Sequence, residues 1–156
     1  MRRQLDEALT SLRDIARGIY PAALADVGII PGLRAATLHS VPAVDVRGEL
    51  DRRYPAEIEG AVYFSCLEAI QNAVRYAGAS RVLVDIHERD GSLVFSVIDD
   101  GRGFDPGRRR SGSGLQNVSD RVRATGGHLR ISSAAGSGTT VSGSVPRPDP
   151  EVPTRS

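Results

Sequence analysis

The longest regular pattern of apolar residues lies between residues 55 and 77. In a helix with 3.6 residues per turn, the apolar side chains of this segment would occupy most of the circumference, and such a helix is expected to pack on a sheet. One stripe differs, because Glu68, Asn72 and Arg75 stand at i, i+4 and i+7 and so share a narrow arc. Burying polar groups is costly unless something polar meets them. The stripe is therefore either a functional surface or a solvated face with one ion pair.

The remaining patterns predict shorter elements. Periodicity and turn residues indicate a helix near 28–39, an extended segment near 41–49, two strands within 80–99, a helix near 114–125, and strands near 128–133 and 139–145. Strands and helices do not alternate regularly, so we expect an α+β fold: a two-layer sandwich of one mixed sheet covered by helices on one face.

The two ends of the chain differ from this central part. Apolar residues recur in steps of four and three between Leu5 and Ile19, a spacing typical of the contact seam of a helical bundle. Pro21 is expected to end this helix. The segment after residue 146 is too rich in proline to pack. We therefore expect a helix from a dimer interface at 1–20, a linker at 21–27, a folded domain at 28–146 and a disordered tail at 147–156.

Composition narrows the class of protein. A chain of 156 residues with 40% hydrophobic residues and a net charge of +1 favours one folded domain and neither a nucleic-acid surface nor a membrane surface. No apolar run reaches membrane-spanning length and no secretory signal is evident, so a cytoplasmic setting is expected. The one cysteine, Cys66, falls in the buried-helix pattern and is expected in the core.

A candidate binding site begins at the end of the second strand within 80–99. Asp99 follows an apolar alternating run and precedes Gly101 and Gly103, two glycines that let a flat ring approach the backbone. Asp-Gly pairs also mark ordinary turns, so this segment alone does not decide between a turn and a nucleotide-base pocket.

Two further glycine segments follow. Gly112 and Gly114 precede the apolar pattern of the next helix, where free N–H groups can hold phosphate. All 20 basic residues are arginine, which excludes a P-loop lysine and Schiff-base chemistry. The third segment, 136–138, is by itself typical of a hairpin turn.

Taken together, these motifs resemble a known family. The segments 68–77, 99–104, 112–115 and 136–139 look like the N box and three glycine boxes of the gyrase, chaperone, histidine-kinase and mismatch-repair ATPase superfamily, and most resemble sensor histidine kinases of the nitrate-sensor type. The match spans about residues 24–146. The resemblance implies a Bergerat-type ATP-binding fold, with 1–20 similar to the end of the second dimerisation helix.

The resemblance also implies roles for the polar stripe. Asn72 would bind Mg²⁺ through its amide oxygen, and Glu68 would hold a metal-bound water or accept a proton, so these two are the candidate catalytic residues. Arg75 would touch phosphate and Tyr76 would lie against adenine. The implied cofactors are ATP and Mg²⁺.

The glycine boxes would form the rest of the nucleotide site. Asp99 would accept the adenine amino group, a contact that disfavours guanine because two acceptors would face each other. Thr139 would support the base through Asp99 or water. The implied nucleotide-binding positions of the glycine segments are Gly101, Gly103, Gly112, Gly114 and Leu115. The segment between them resembles an ATP lid, and its arginines, Arg108 to Arg110, are either phosphate ligands or a solvated charge run.

One feature departs from the family, because nothing resembling the first dimerisation helix with its acceptor histidine precedes Leu5. His39, His87 and His128 lie in connecting or strand patterns and are poor substitutes. The resemblance thus implies the catalytic domain of a two-component sensor histidine kinase from a longer protein, which presents the ATP γ-phosphate to a histidine outside this chain. Its partners would be the acceptor helix, a response regulator and a second copy in a homodimer, with no nucleic acid and no direct membrane contact.

Two alternatives stay open. A serine kinase that acts on an anti-sigma antagonist has the same ATP fold and needs no acceptor histidine. A nucleotide-binding interaction domain would keep the fold without turnover. The helical stub and Pro21 disfavour the first, and the intact Glu68 and Asn72 disfavour the second.

Overall fold

A computed structural model describes residues 22–75, 77–103 and 113–148. Four helices and five strands occur in these ranges: α1 (Ala22–Val27), α2 (Ile29–Ala36), β1 (Val44–Gly48), α3 (Ala56–Arg75), β2 (Val82–Arg89), β3 (Ser92–Asp99), α4 (Ser113–Ala124), β4 (His128–Ser133) and β5 (Thr139–Pro146).

The strands form a single mixed sheet in the order β1-β2-β3-β5-β4. β1 and β2 are parallel, and the helix α3 makes the crossover between them that a parallel pair requires. The other neighbouring pairs are antiparallel. A tight turn at Asp90 and Gly91, both with positive φ, joins β2 to β3.

The alternation of side chains divides the sheet into two faces. In β3 the residues Leu93, Phe95, Val97 and Asp99 are buried, and their neighbours are more exposed. Their cross-strand partners in β2 and β5 include Ile86, Val84 and Val141, which are also buried. One face therefore carries the core. The other is more exposed and carries polar side chains together with the apolar Leu83, Val94 and Ile98.

Helices cover the core face. The long helix α3 packs against β2, β3 and β5, and α4 lies beside α3 and reaches β4. α2 packs between α3 and β1. The expected α+β sandwich, with one mixed sheet covered by helices on one face, is confirmed.

The glycine at position 143 shows how tightly the core is packed. A Cβ atom there would lie 2.3 Å from Cζ of Phe95, so the aromatic ring occupies the space beside the β5 backbone. Cys66 is fully buried, as expected, and burial raises the pKa of its thiol. Among the helices of the described ranges, none is long and apolar enough to cross a membrane.

The structure differs from the sequence-based boundaries at both ends of the domain. Residues 22–27, expected in a linker, form α1, and Leu24 is in the core because α1 packs on α2 and α3. The helix expected near 28–39 ends earlier, at Ala36. Arg147, expected in the tail, donates its backbone N–H to the Gly91 carbonyl at 2.9 Å. Residues 1–21 and 149–156 lie outside the described ranges.

Candidate functional site

Asp99 is the last residue of β3 and points to the helix-covered face. Its side chain is buried, with 8% of the residue exposed, and its Oδ1 accepts a hydrogen bond from the Gly101 N–H at 2.8 Å. This two-residue turn fixes the carboxylate against its own backbone. No described residue donates a hydrogen bond to the second oxygen of Asp99, and no buried side-chain oxygen in the described part of the chain lacks a partner, so this oxygen is in contact with solvent. A fixed carboxylate with one accessible acceptor oxygen is thus placed at the end of the strand.

The neighbouring carboxylate, Asp100, has a different role. It is exposed and accepts hydrogen bonds from the Ser80 hydroxyl and from the backbone N–H groups of Ser80, at 2.8 Å, and Arg81, at 2.9 Å. Its hydrogen bonds to the Ser80 side chain and to these backbone groups lower the pKa of Asp100. Asp100 therefore holds the segment just before β2 against the end of β3, whereas Asp99 is bonded to the backbone of Gly101.

Gly101 lies against the end of the long helix. A Cβ atom on Gly101 would lie 2.4 Å from the Cβ of Ala77, and the Arg102 N–H donates to the Ala77 carbonyl at 2.8 Å. The segment that follows Asp99 is thereby joined to the segment that follows α3. This contact brings the C-terminal end of α3, with its polar stripe, to the same end of the sheet as Asp99.

Two more glycines allow close approach of backbone segments. Gly138 has φ +72, and a Cβ there would lie 2.1 Å from the Asp99 carbonyl oxygen. Gly103 has φ +65, and a Cβ there would meet the Ala134 carbonyl oxygen at 2.1 Å. We expected Gly101 and Gly103 to admit a flat ring. In the structure their immediate effect is to let protein backbones meet around Asp99.

The polar stripe on α3 lies at the margin of the core. Glu68 and Asn72 are half-buried, and Arg75 is exposed. Burial raises the pKa of Glu68, and the positive charge of Arg75 partly offsets this effect. The two ends of the stripe thus interact electrostatically, and the half-buried Asn72 lies between them.

α4 meets this stripe through Gly114. A Cβ atom on Gly114 would lie 2.0 Å from Oε1 of Glu68, so the carboxylate rests against the first turn of α4. Further along the helix, the Arg121 guanidinium lies 4.9 Å from the centre of the Phe64 ring. Leu115 is half-buried beside the core. Helix α4 begins at Ser113, as the glycines predicted.

Thr139 is the cross-strand partner of Asp99. It begins β5 and lies directly opposite Asp99 in the antiparallel pairing of β3 and β5. Directly opposite residues in such a pair share one face and have neighbouring side chains. The predicted association of Thr139 with Asp99 thus has a geometric basis.

Several predicted site residues lie outside the described ranges. They are Tyr76, Gly112 and the lid arginines, Arg108 to Arg110.

Sequence reasoning missed a buried ion pair at the other end of α3. Glu59 is buried, and its carboxylate accepts hydrogen bonds from Nε and Nη2 of Arg53 at 2.9 and 2.8 Å. Arg53 also donates to the Leu24 and Ala25 carbonyls of α1. An acidic residue next to the apolar Ile58 in a buried-helix pattern was the available signal. A cavity of about 230 Å³ beside this pair is lined by neither Asp99 nor Asn72.

Ser133 was also missed. It ends β4, and its hydroxyl lies 2.8 Å from that of Thr139. Its sequence signal was weak, because serine is common beside turns.

Comparison with known protein families identifies the family to which the chain belongs. The model of the histidine kinase-, DNA gyrase B- and HSP90-like ATPase family matches residues 59–149. This range contains most of α3, the glycine segments and the last four strands.

Curated relatives extend the similarity over most of the chain. The signal transduction histidine-protein kinase/phosphatase DegS of Brevibacillus brevis is 32% identical over 94% of this chain and 39% of its own length. The sensor histidine kinase MctS of Rhizobium johnstonii is 30% identical over 92% of this chain and 33% of its own length. The chain thus spans less than half the length of these two relatives.

Solved structures share the fold. The histidine kinase domain of a blue-light activated histidine kinase from Erythrobacter litoralis aligns with a TM-score of 0.62 and 24% identity, over 76% of this chain and 59% of that one. The ATP-binding domain of PrrB from Mycobacterium tuberculosis aligns with a TM-score of 0.57 and 23% identity, over 75% of this chain and 88% of that one.

Proposed function

We propose that this chain, which belongs to the family of histidine kinase-, DNA gyrase B- and HSP90-like ATPases, is the ATP-binding catalytic domain of a sensor histidine kinase. In this proposal it binds Mg²⁺-ATP between Asp99 and the polar stripe of α3 and presents the γ-phosphate to a histidine outside the chain. The observation that carries this proposal is the buried Asp99 carboxylate with one oxygen fixed by Gly101 and the other open to solvent.

The adenine ring would be read by Asp99. An accessible carboxylate oxygen can accept a hydrogen bond from the 6-amino group of adenine, whereas it repels the 6-oxo group of guanine, which is itself an acceptor. Thr139, directly opposite in β5, supports the same edge of the base. Tyr76, Gly101 and Gly103 complete this part of the proposed site.

The phosphates and the metal would lie toward α3 and α4. Mg²⁺ keeps several water ligands and takes few protein oxygens besides those of the nucleotide phosphates. The half-buried amide of Asn72 and the Glu68 carboxylate are hard oxygen donors of the required kind, so the residues present fit the ion. Bound Mg²⁺ would neutralise phosphate charge. Arg75 adds a positive charge on the same stripe. Gly114 and Leu115 lie in the first turn of α4, whose N–H groups would face the phosphates, and Gly112 would contribute its backbone N–H as well.

In the proposed reaction this chain positions the nucleotide and the metal, and it does not supply the nucleophile that attacks the γ-phosphate. Asn72 would orient the metal, Asp99 would fix the base, and Glu68, whose pKa is raised by burial, would hold a metal-bound water or accept a proton from the attacking group. The γ-phosphate is transferred to the imidazole of a partner helix and later to a response regulator. The partner helix would come from a homodimeric, cytoplasmic kinase of which this domain is one part.

The proposal is tested with γ-labelled ATP. The chain is incubated with Mg²⁺, labelled ATP and a dimerisation-helix pair that carries an acceptor histidine from one of the related kinases. Label that reaches the acceptor and is lost in acid but kept in base supports the proposal. Acid-stable label would instead favour a serine kinase. ATP binding without transfer to acceptors from several relatives would favour an interaction domain.

The metal assignment needs its own variant. Asn72→Ala is expected to bind ATP in EDTA as the wild type does and to lose the additional affinity that Mg²⁺ provides, measured by calorimetry. Arg130→Ala, on the open face of the sheet, is the control and should leave both values unchanged. Undiminished Mg²⁺ dependence in Asn72→Ala would contradict the assignment.

A further inference from the structure

The sheet has an open edge at β1. This strand lies at one end of the order β1-β2-β3-β5-β4, and its neighbour in the sheet is β2. The outer edge of a terminal strand presents backbone N–H and C=O groups that a further strand can bind. The Val46 carbonyl points to this outer edge, where it accepts hydrogen bonds from Nε and Nη2 of Arg34 in α2, at 3.3 and 3.1 Å. The Arg34 side chain therefore stands where the N–H group of a neighbouring strand would bind.

A groove lies beside this edge. Its volume is about 350 Å³, with Val44 and Val46 on the β1 side and Thr37 and Leu38 at the end of α2. Leu38 is 73% exposed, and Val41, in the connection to β1, is 84% exposed. Two large apolar side chains open to water, next to an uncovered strand edge, indicate a surface that another chain covers.

The charges of β1 complement those of a second copy. Asp45 and Arg47 are exposed, flank Val46 and form an ion pair at 2.8 Å. A two-fold axis perpendicular to the sheet brings the same edge of two copies together, and the strand then pairs antiparallel with its own copy.

The position of that axis determines which charges meet. With the axis at Val46, Asp45 of each copy lies directly opposite Arg47 of the other, and opposite charges in such pairs are stabilising. With the axis at Asp45 or at Arg47, like charges would face each other. Charge therefore selects the register in which the outward-pointing groups of Val46 also meet.

We propose that the outer edge of β1 is a docking surface for a second copy of this chain, which pairs with it antiparallel about a two-fold axis at Val46. The Val46 N–H and carbonyl of each copy bond to those of the other, and Arg34 releases the carbonyl that it holds in the single chain. Val44 and Val46 of each copy enter the groove of the other and cover Leu38. The surface is separate from the proposed ATP site, so this inference is independent of nucleotide binding.

The test measures self-association of the whole chain by sedimentation equilibrium. One short strand from each copy makes a small interface, so weak, reversible dimers are expected between about 10 μM and 1 mM. Arg34→Ala should dimerise about tenfold more tightly, because the Val46 carbonyl loses its competing partner in each copy. Thermal melts of every variant show whether it is folded.

Charge reversal tests the register. Asp45→Arg leaves two bases on the strand, and Arg47→Asp leaves two acids. Each variant alone should dimerise about tenfold or more weakly, because both symmetry-related pairs then carry like charges. An equimolar mixture of the two variants should associate within about threefold of the wild type, because opposite charges again face each other. The control Arg89→Asp reverses an exposed charge at the end of β2 and should leave the association unchanged.

A disulfide tests the geometry directly. Because Val46 forms a hydrogen-bonded pair in the proposed register, positions 45 and 47 of the two copies form a non-hydrogen-bonded pair, with Cα atoms about 4.5 Å apart and within reach of a disulfide. Asp45→Cys mixed with Arg47→Cys should therefore give a mixed disulfide-linked dimer under a mild oxidant, and either variant alone should give little. The native Cys66 is fully buried and should not react.

Three results would overturn the inference. The first is a wild type that stays monomeric up to about 1 mM. The second is an association that both charge variants leave unchanged, which would assign the contact to another surface, such as the helical seam expected between Leu5 and Ile19. The third is a mixture of the two charge variants that associates no better than either variant alone. Phosphotransfer and ATP binding are not read out in these experiments, so none of these results bears on the proposed function.

Discussion

Asp99→Asn is the substitution that tests the base pocket most directly. The change keeps the size of the side chain and replaces one acceptor oxygen by an NH₂ donor. If the remaining oxygen keeps its bond to the Gly101 N–H, the new NH₂ group takes the place of the oxygen that opens to solvent. It would then face the 6-amino group of adenine, donor against donor.

The magnitude follows from these two effects. Loss of a hydrogen bond to a charged group costs about 1.5–3 kcal/mol, and a donor held against a donor adds about 1–3 kcal/mol. The expected total of about 2.5–6 kcal/mol corresponds to an increase in Kd of roughly 70-fold to more than 10,000-fold. The assay is calorimetric titration with ATP and Mg²⁺, with a thermal melt of each unliganded variant to show that it is folded.

Asp100→Asn is the matched control. It makes the same chemical change at the next residue, whose carboxylate is bonded to Ser80 and Arg81. It should lower the melting temperature and change the ATP affinity less than about threefold. Binding of ATP by Asp99→Asn within threefold of the wild type would refute the base-pocket reasoning. An effect of Asp100→Asn as large as that of Asp99→Asn would refute the division of roles between the two carboxylates.

Three further predictions concern stability. Burial raises the pKa of Glu68 above its ordinary 4.5, so the stabilising contribution of this carboxyl is fully present below about pH 4.5 and is lost as the pH rises through the folded-state pKa. Glu68→Gln should therefore have a higher melting temperature than the wild type at pH 7 and the same melting temperature at pH 4. A lower melting temperature at pH 7 would contradict the burial argument. Gly114→Ala, whose Cβ would meet the Glu68 carboxylate, should lose about 1–3 kcal/mol in urea denaturation, and adding Glu68→Ala should recover most of it unless the contact is unimportant. Arg53→Ala should lower the free energy of unfolding in urea by about 3 kcal/mol, near the lower end for a broken buried ion pair because Arg53 is half-exposed. Arg47→Ala removes an exposed ion pair and should lower it by less than about 1 kcal/mol, and equal losses would contradict the importance of burial.

The sequence by itself determined most of the helices and strands, though not α1, and it indicated which residues to consider for the site. The helix between residues 55 and 77, the strands that end at Asp99 and begin at Thr139, and the helix after the glycines were predicted from periodicity and turn residues, because both depend on near neighbours in the chain. The ordered motifs also indicated the family. The roles of Asn72, Asp99 and the glycines in binding ATP stay predictions.

Only the tertiary structure decided which side chains meet. Asp99 and Asp100 are adjacent in sequence, yet one is fixed by Gly101 beside the core and the other clamps Ser80 and Arg81. The contacts of Glu59 with Arg53 and of Glu68 with Gly114, and the pairing of Thr139 with both Asp99 and Ser133, join segments that are distant along the chain or separated by a turn. Such contacts depend on strand register and on how helices pack, which local periodicity does not specify.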